Sequence, residues 1–175
     1  MKTLLRKVLR LRPDLGINFY IIDFLFRRIL RQNSKVKWAI HHTSTVRIPE
    51  KLIVGKHTYP GDSPNVYIAA HSGIEIGDYT NIGPNVSIIS ANYDLHDNDI
   101  IIETEPIKIG KFCWFGSGAA VMPGVSLGDF TMVGAGAIVA KSFPEGYCVI
   151  AGNPAKVIKL LDKEKCIAVA KRKSK

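Results

Sequence analysis

From Ile109 to Phe143 the chain reads IGKFCWFGSGAAVMPGVSLGDFTMVGAGAIVAKSF. Steps of six from Ile109 land on Phe115, Val121, Leu127, Val133 and Val139, all apolar. The next residue is glycine at Gly110, Gly116, Gly128 and Gly134, with Met122 and Ala140 as exceptions. Four past each apolar stop lie Cys113, Ala119, Val125, Thr131 and Ala137, mostly small, and then Phe143. Upstream the same step runs through Ala70, Ile76, Ile82 and Ile88, with Gly77 and Gly83 following and Thr80 and Val86 at the fourth position. Such a six-residue unit makes a short strand and a tight corner, and three units close one triangular coil. The aliphatic residue fills the coil, the small residue lets the chain pass the corner, and glycine is read as relief of backbone strain. One coil cannot bury its own interior, so stacked coils supply the core. The pattern predicts a mainly β chain, a left-handed parallel β-helix of hexapeptide repeats.

Outward from this stretch the pattern weakens. Ile48 and Val54 keep the step of six, and Gly55 follows Val54. Tyr59 to Pro64 then reads as a turn, so irregular first coils are expected over 45–70. Between Ile88 and Ile107 the step fails, and 90–106 is a long polar insertion, a feature that in a compact fold is usually functional. Residues 1–37 change character: Leu4, Leu5, Val8 and Leu9, then Phe19 to Leu30, suggest two short helices split by Pro13 and Gly16. The second, Asn18 to Arg31, either packs on the β-helix or a subunit contact, or rests on anionic lipid. Past Pro154, Val157 to Ala170 is expected to form a helix, with a basic tail after it. The organisation is therefore 1–40 helical, 41–155 β-helix with loop 90–106, and 156–175 C-terminal helix and tail.

The net charge of +9 is unevenly spread. Residues 1–37 carry ten Lys/Arg against two acids, 38–155 six against eleven, and 156–175 eight against two. The basic ends suit an acidic partner or a membrane surface, and the acidic middle argues against a nucleic-acid platform. No apolar run approaches the ~20 residues of a membrane span, and the basic start lacks a cleavable signal. Cys113, Cys148 and Cys166 have no metal-ligand spacing and read as reduced thiols of a cytoplasmic protein.

Cys113-Trp114-Phe115-Gly116, Pro123-Gly124-Val125, Gly134-Ala135-Gly136-Ala137 and Gly152-Asn153-Pro154-Ala155-Lys156 resemble the hexapeptide acyltransferases of the maltose, galactoside and capsule O-acetyltransferase group. The resemblance covers roughly 65–160 and is not specific to a substrate. It implies a homotrimer with active sites at subunit interfaces and acetyl-CoA along the groove between neighbours. Motif by motif, it puts CoA contacts near Ser117, Gly118, Ala135 and Ala140, with Lys141 beside them and Lys156 and Lys159 near the 3′-phosphate. It implies acetyl transfer to a sugar hydroxyl, on a surface-polysaccharide or lipid-linked precursor; on the spacing of the histidines and cysteines no metal is expected, and on charge no nucleic acid. The basic ends add a peripheral contact at the inner face of the membrane.

In the resembled family, loop 90–106 carries a histidine that takes the acceptor's proton. Here that place after Ser90-Ala91-Asn92 holds Tyr93, and the loop's own histidine is His96. Phenols ordinarily titrate near 10, whereas imidazoles titrate near 6.5. Three readings follow. His96 is the base, oriented by Asp94, Asp97 or Asp99; Tyr93 replaces it; or the base lies elsewhere, with His71 and His57 as remaining imidazoles. Asn85, Asn92, Asp94 and Trp114 are the acceptor-side candidates. Two rival functions stay open: a zinc site of His57, His71 and His96 across an interface, as in similar β-helical carbonic anhydrases, and a scaffold that has lost its base.

Overall fold

The computed structural model describes residue 12 and residues 14–173. The expected first helix, around Leu4 to Leu9, lies outside the described residues. Three parallel sheets form the faces of a left-handed β-helix. Face A stacks β1 (Thr45–Arg47), β3 (Tyr67–Ala69), β6 (Ser87–Ile89), β11 (Ala120–Val121) and β14 (Ile138–Val139). Face B stacks β2 (Leu52–Val54), β4 (Ile74–Ile76), β9 (Ile107–Ile109) and β12 (Ser126–Leu127). Face C stacks β5 (Asn81–Ile82), β10 (Trp114–Phe115), β13 (Thr131–Val133), β15 (Cys148–Gly152) and, antiparallel at its end, β16 (Ala155–Leu160).

The register repeats the sequence step. Ile109 pairs with Leu127, Phe115 with Val133 and Val121 with Val139, each one coil of three six-residue units onward. Ile76, Ile82, Ile88, Ile109, Phe115, Val121, Leu127, Val133 and Val139 are all buried in one core. Burying such side chains is worth roughly 1.5–3 kcal/mol each, which drives the stacking.

The glycine after each apolar residue has a different reason from the one expected. None of Gly77, Gly83, Gly110, Gly116, Gly128 and Gly134 has positive φ. A Cβ on Gly116 would instead stand 2.6 Å from the Ala135 nitrogen, so the next coil's backbone forbids a side chain. The left-handed backbone falls two residues later, and each corner fills it differently. The corner between C and A uses Asn65, Asn85, Gly118 and Gly136, and that between A and B uses Gly73 and Gly124. The corner between B and C uses His57, Tyr79, Phe112, Phe130 and Tyr147. Their rings stack in one column at centroid spacings of 4.8, 5.0, 4.9 and 5.5 Å. Left-handed backbone costs a side-chain-bearing residue roughly 1–2 kcal/mol. Each stacked pair returns about 0.5–1.5 kcal/mol.

Under this column, small polar side chains tie coil to coil. Thr58 Oγ1 donates to the Gly77 carbonyl at 2.8 Å, and Thr80 Oγ1 to the Gly110 carbonyl at 2.9 Å. Cys113 Sγ lies 3.3 Å from the Gly128 carbonyl, and burial pushes its thiol up to about 12. Burial also raises Cys148. These two thiols are structural members of the column.

Both chain ends dock on the stack. Helix α1 (Ile17–Phe24) continues as a π-helical turn, Leu25–Ile29, and lies at the N-terminal end. Its Asp23 is buried, holds Arg27 at 2.6 Å and accepts from the Ile40 amide at 3.0 Å. The following Asn33 donates to the Ser44 carbonyl at 2.8 Å and accepts from the Val46 amide at 2.9 Å, on the outermost strand of face A. At the other terminus the expected helix from Val157 is corrected. Ala155–Leu160 is β16, because the open edge of β15 outbids a weak helical pattern. Helix α2 (Lys163–Lys173) starts only after Asp162, whose carboxylate accepts from the Lys165 amide at 3.1 Å. It returns along the aromatic column, with Lys163 over Tyr147 and the Lys173 carbonyl accepting from Tyr79 Oη at 2.7 Å.

Candidate active site

Residues 90–106 are more ordered than an irregular loop. They form an antiparallel hairpin, β7 (Ala91–Tyr93) with β8 (Ile101–Glu103), standing off the corner between A and B. Its base is fastened: Thr104 Oγ1 donates to the Ser90 carbonyl at 2.8 Å, the Thr104 amide to Ser72 Oγ at 2.9 Å, and Lys51 meets Glu103 at 3.1 Å. The Ile100-Ile101-Ile102 run was the sequence signal for the second strand.

The hairpin separates the expected catalytic residues. Tyr93 ends β7 opposite Ile101. His96 sits at the tip with its side chain 94% exposed. Asp94 Oδ1 accepts from the His96 amide at 2.8 Å and the Asp97 amide at 3.1 Å, so its carboxylate shapes the turn. The His96 ring nitrogen is 3.7 Å from it. Leu95 at the tip is 95% exposed, and Ile100, Ile101 and Ile102 are exposed beside it.

Under the hairpin base lies a cavity of about 130 Å³ lined by Tyr67, His71, Ile89, Asn92, Tyr93 and Ile101. It brings Tyr93 and Asn92 together with His71, an imidazole that the spacing alone ranked below His96. The signal for it was present: His71 follows Ala70, a member of the six-residue step, and so must face the same corner as the insertion.

The opposite edge of face A, the corner between C and A, carries the small residues. Asn85, Ser117, Gly118, Ala135 and Gly136 line up there, all exposed. A Cβ on Gly136 would meet nothing within 4 Å, so this corner presents bare peptide to solvent. Asn85 Oδ1 accepts from Asn65 Nδ2 at 3.1 Å. Ala140 and Lys141 fall on the hairpin's corner instead, away from Ser117 and Ala135, and Lys141 lies 5.5 Å from the Phe143 ring. Lys156 and Lys159 are exposed on β16, opposite Ala151 and Val149. Trp114 is half-exposed on face C between Asn81 and Met132. His57 belongs to the aromatic column, at a different corner from His71. Among the described residues no three His, Cys, Asp or Glu converge on a metal position.

Residues 106–141 match the family described as Bacterial transferase hexapeptide (six repeats). WcaF of Escherichia coli strain K12, named as a colanic acid biosynthesis acetyltransferase, is 36% identical over 89 residues, 51% of this chain and 48% of that protein. Nodulation protein L of Rhizobium meliloti is 38% identical over 78 residues, and the match spans 42% of it. The chain thus spans about half the length of the curated relatives it matches. Among solved structures, a maltose O-acetyltransferase from Clostridium difficile 630 aligns with a TM-score of 0.60 at 31% identity, covering 67% of this chain and 64% of that one. The repeat, the three stacked faces and these likenesses agree: residues 106–141 carry the repeats of the bacterial hexapeptide transferases, and the chain is similar to members of that group in sequence and fold.

Proposed function

We propose that the chain transfers an acetyl group from acetyl-CoA to a sugar hydroxyl, as a homotrimer. The observation that carries this reading is the layout of face A. Bare peptide at one edge suits the extended amide chain of CoA, and the pocket of His71, Asn92 and Tyr93 at the other suits a hydroxylated acceptor. The two lie at opposite edges of one face, so one chain holds the halves apart and a neighbouring copy would join them. The exposed Leu95 and Ile100–Ile102 of the hairpin favour such a neighbour, since large apolar side chains at a tip gain by burial. One relative is named for acetyl transfer in colanic acid biosynthesis and one similar structure is named as a maltose O-acetyltransferase, which supports a sugar as acceptor.

In this reading the acceptor oxygen attacks the thioester carbonyl carbon and the C–S bond breaks. An imidazole takes the hydroxyl proton and returns it to the departing thiolate. His71 is the imidazole inside the pocket, and Tyr93 and Asn92 hold the acceptor. His96 is the second reading, favoured by the exposed hairpin if its tip enters a neighbour's site. The test is free-thiol release from acetyl-CoA over a panel of sugars, with mass spectrometry of the products. Acceptor-dependent thiol release and an added acetyl ester support the proposal. No turnover, together with no CoA binding by calorimetry at millimolar ligand, would leave the scaffold reading.

A further inference from the structure

Helix α1 has two unlike sides. The inner side is fixed by Asp23, by Arg27 donating to the Val36 carbonyl at 2.9 Å, and by Phe26 against His42 at 4.9 Å. The outer side shows Ile17, Ile21, Phe24, Leu25, Ile29 and Leu30, all exposed, with Ile21 and Ile29 at 61%. Nothing among the described residues covers this ridge. The only acids of residues 1–37 are Asp14 and Asp23, and they are taken by Arg12 and Arg27. Exposed Arg28 and Arg31 next to the ridge have no ion-pair partner among the described residues.

A second observation comes from the other terminus. Because α2 runs back along the aromatic column, Lys171, Arg172 and Lys173 arrive at Tyr79. That corner is one coil from His57, and Arg12 meets Tyr59 and Asp62 just beyond it. Sequence positions far apart thus bring their positive charge toward one end of the stack, while the acidic excess of 38–155 sits in the hairpin segment 90–106, which carries five acids and no Lys or Arg. No helix of the described residues is long and apolar enough to cross a membrane.

From this we infer that the N-terminal end of the β-helix docks on an anionic lipid bilayer, with α1 lying in the interface plane. An aliphatic and aromatic ridge flanked by arginines matches both phases of that interface: acyl chains below, phosphate headgroups around. A second copy of this end is the poorer occupant, because a two-fold contact would set like charges against each other. The inference does not depend on acetyl transfer.

The experiment is vesicle flotation of the full chain. Mixed phosphatidylglycerol–phosphatidylcholine vesicles should carry it, and pure phosphatidylcholine or high salt should cut the bound fraction by about tenfold. Ile21→Asp with Phe24→Asp should abolish flotation while circular dichroism and oligomeric mass stay unchanged. Arg28→Glu with Arg31→Glu should weaken it on mixed vesicles only. Failure of the native chain to float, or flotation indifferent to both pairs of changes, overturns the inference. A fall in oligomeric mass with Ile21→Asp and Phe24→Asp overturns it too, by assigning the ridge to a contact between copies. Thiol release from acetyl-CoA in the absence of lipid separates failure here from failure of the transferase reading.

Discussion

Gly116 and Gly136 look alike in sequence and do different jobs. Gly116→Ala should cost about 1–3 kcal/mol, since the added methyl drives into the backbone of the next coil. Urea denaturation reads this directly. Gly136→Asn should leave stability nearly unchanged, because Asn85 already holds the same left-handed corner two coils up the stack. It should nevertheless weaken CoA binding measured by calorimetry, since it clothes the peptide that the proposed function needs bare. For the base, His71→Ala should lower kcat/KM by two to four orders of magnitude, roughly the worth of general-base catalysis. His96→Ala and Tyr93→Phe should do much less; the reverse ranking moves the base to the hairpin tip. The spacing made these residues visible as candidates but ranked them by position after the repeat. It carried no information on where the hairpin points, and that decides which imidazole shares a cavity with Tyr93.

Elements were legible where one period governed them. The coils were, because burial repeats every six residues. β16 was not, because its partner is an edge that exists only once the coils are stacked. The aromatic column was equally hidden, although its members share one place in the repeat: reading the third residue after Val54, Ile76, Ile109 and Leu127 gives His57, Tyr79, Phe112 and Phe130. The attachment of α1 carries a pH prediction. The His41 ring lies 4.4 Å from that of His42 and 6.1 Å from Phe19, and burial, then the neighbouring His42, lower its pKa below the usual imidazole value. Folding therefore favours the neutral ring. Its contribution is complete above the unfolded value near 6.5 and is lost as pH falls through the lower folded value. Hydrogen exchange of residues 17–30 should quicken relative to the coils as pH drops from 7.5 to 5, after correction for intrinsic rates. Equal protection ratios at both values would refute the link.

At the scale of the molecule, fold class followed from one repeat, while the way the chain ends return to the same pole did not, since no local pattern encodes it. The proposed assembly predicts a sedimentation mass of three chains, unaffected by His71→Ala. A stable single chain would leave the two halves of face A apart and count against transfer. Asn33 has a consequence of another kind. A β-helix is a one-dimensional polymerisation in which each coil is the template for the next, and β1 offers the first coil's unpaired peptide groups. The Asn33 side chain supplies one donor and one acceptor to Ser44 and Val46, in place of a further rung. It is a chain terminator. With Asn33→Ala, the growth step should reopen at that face, and end-to-end association should appear in light scattering as a mass that climbs with concentration.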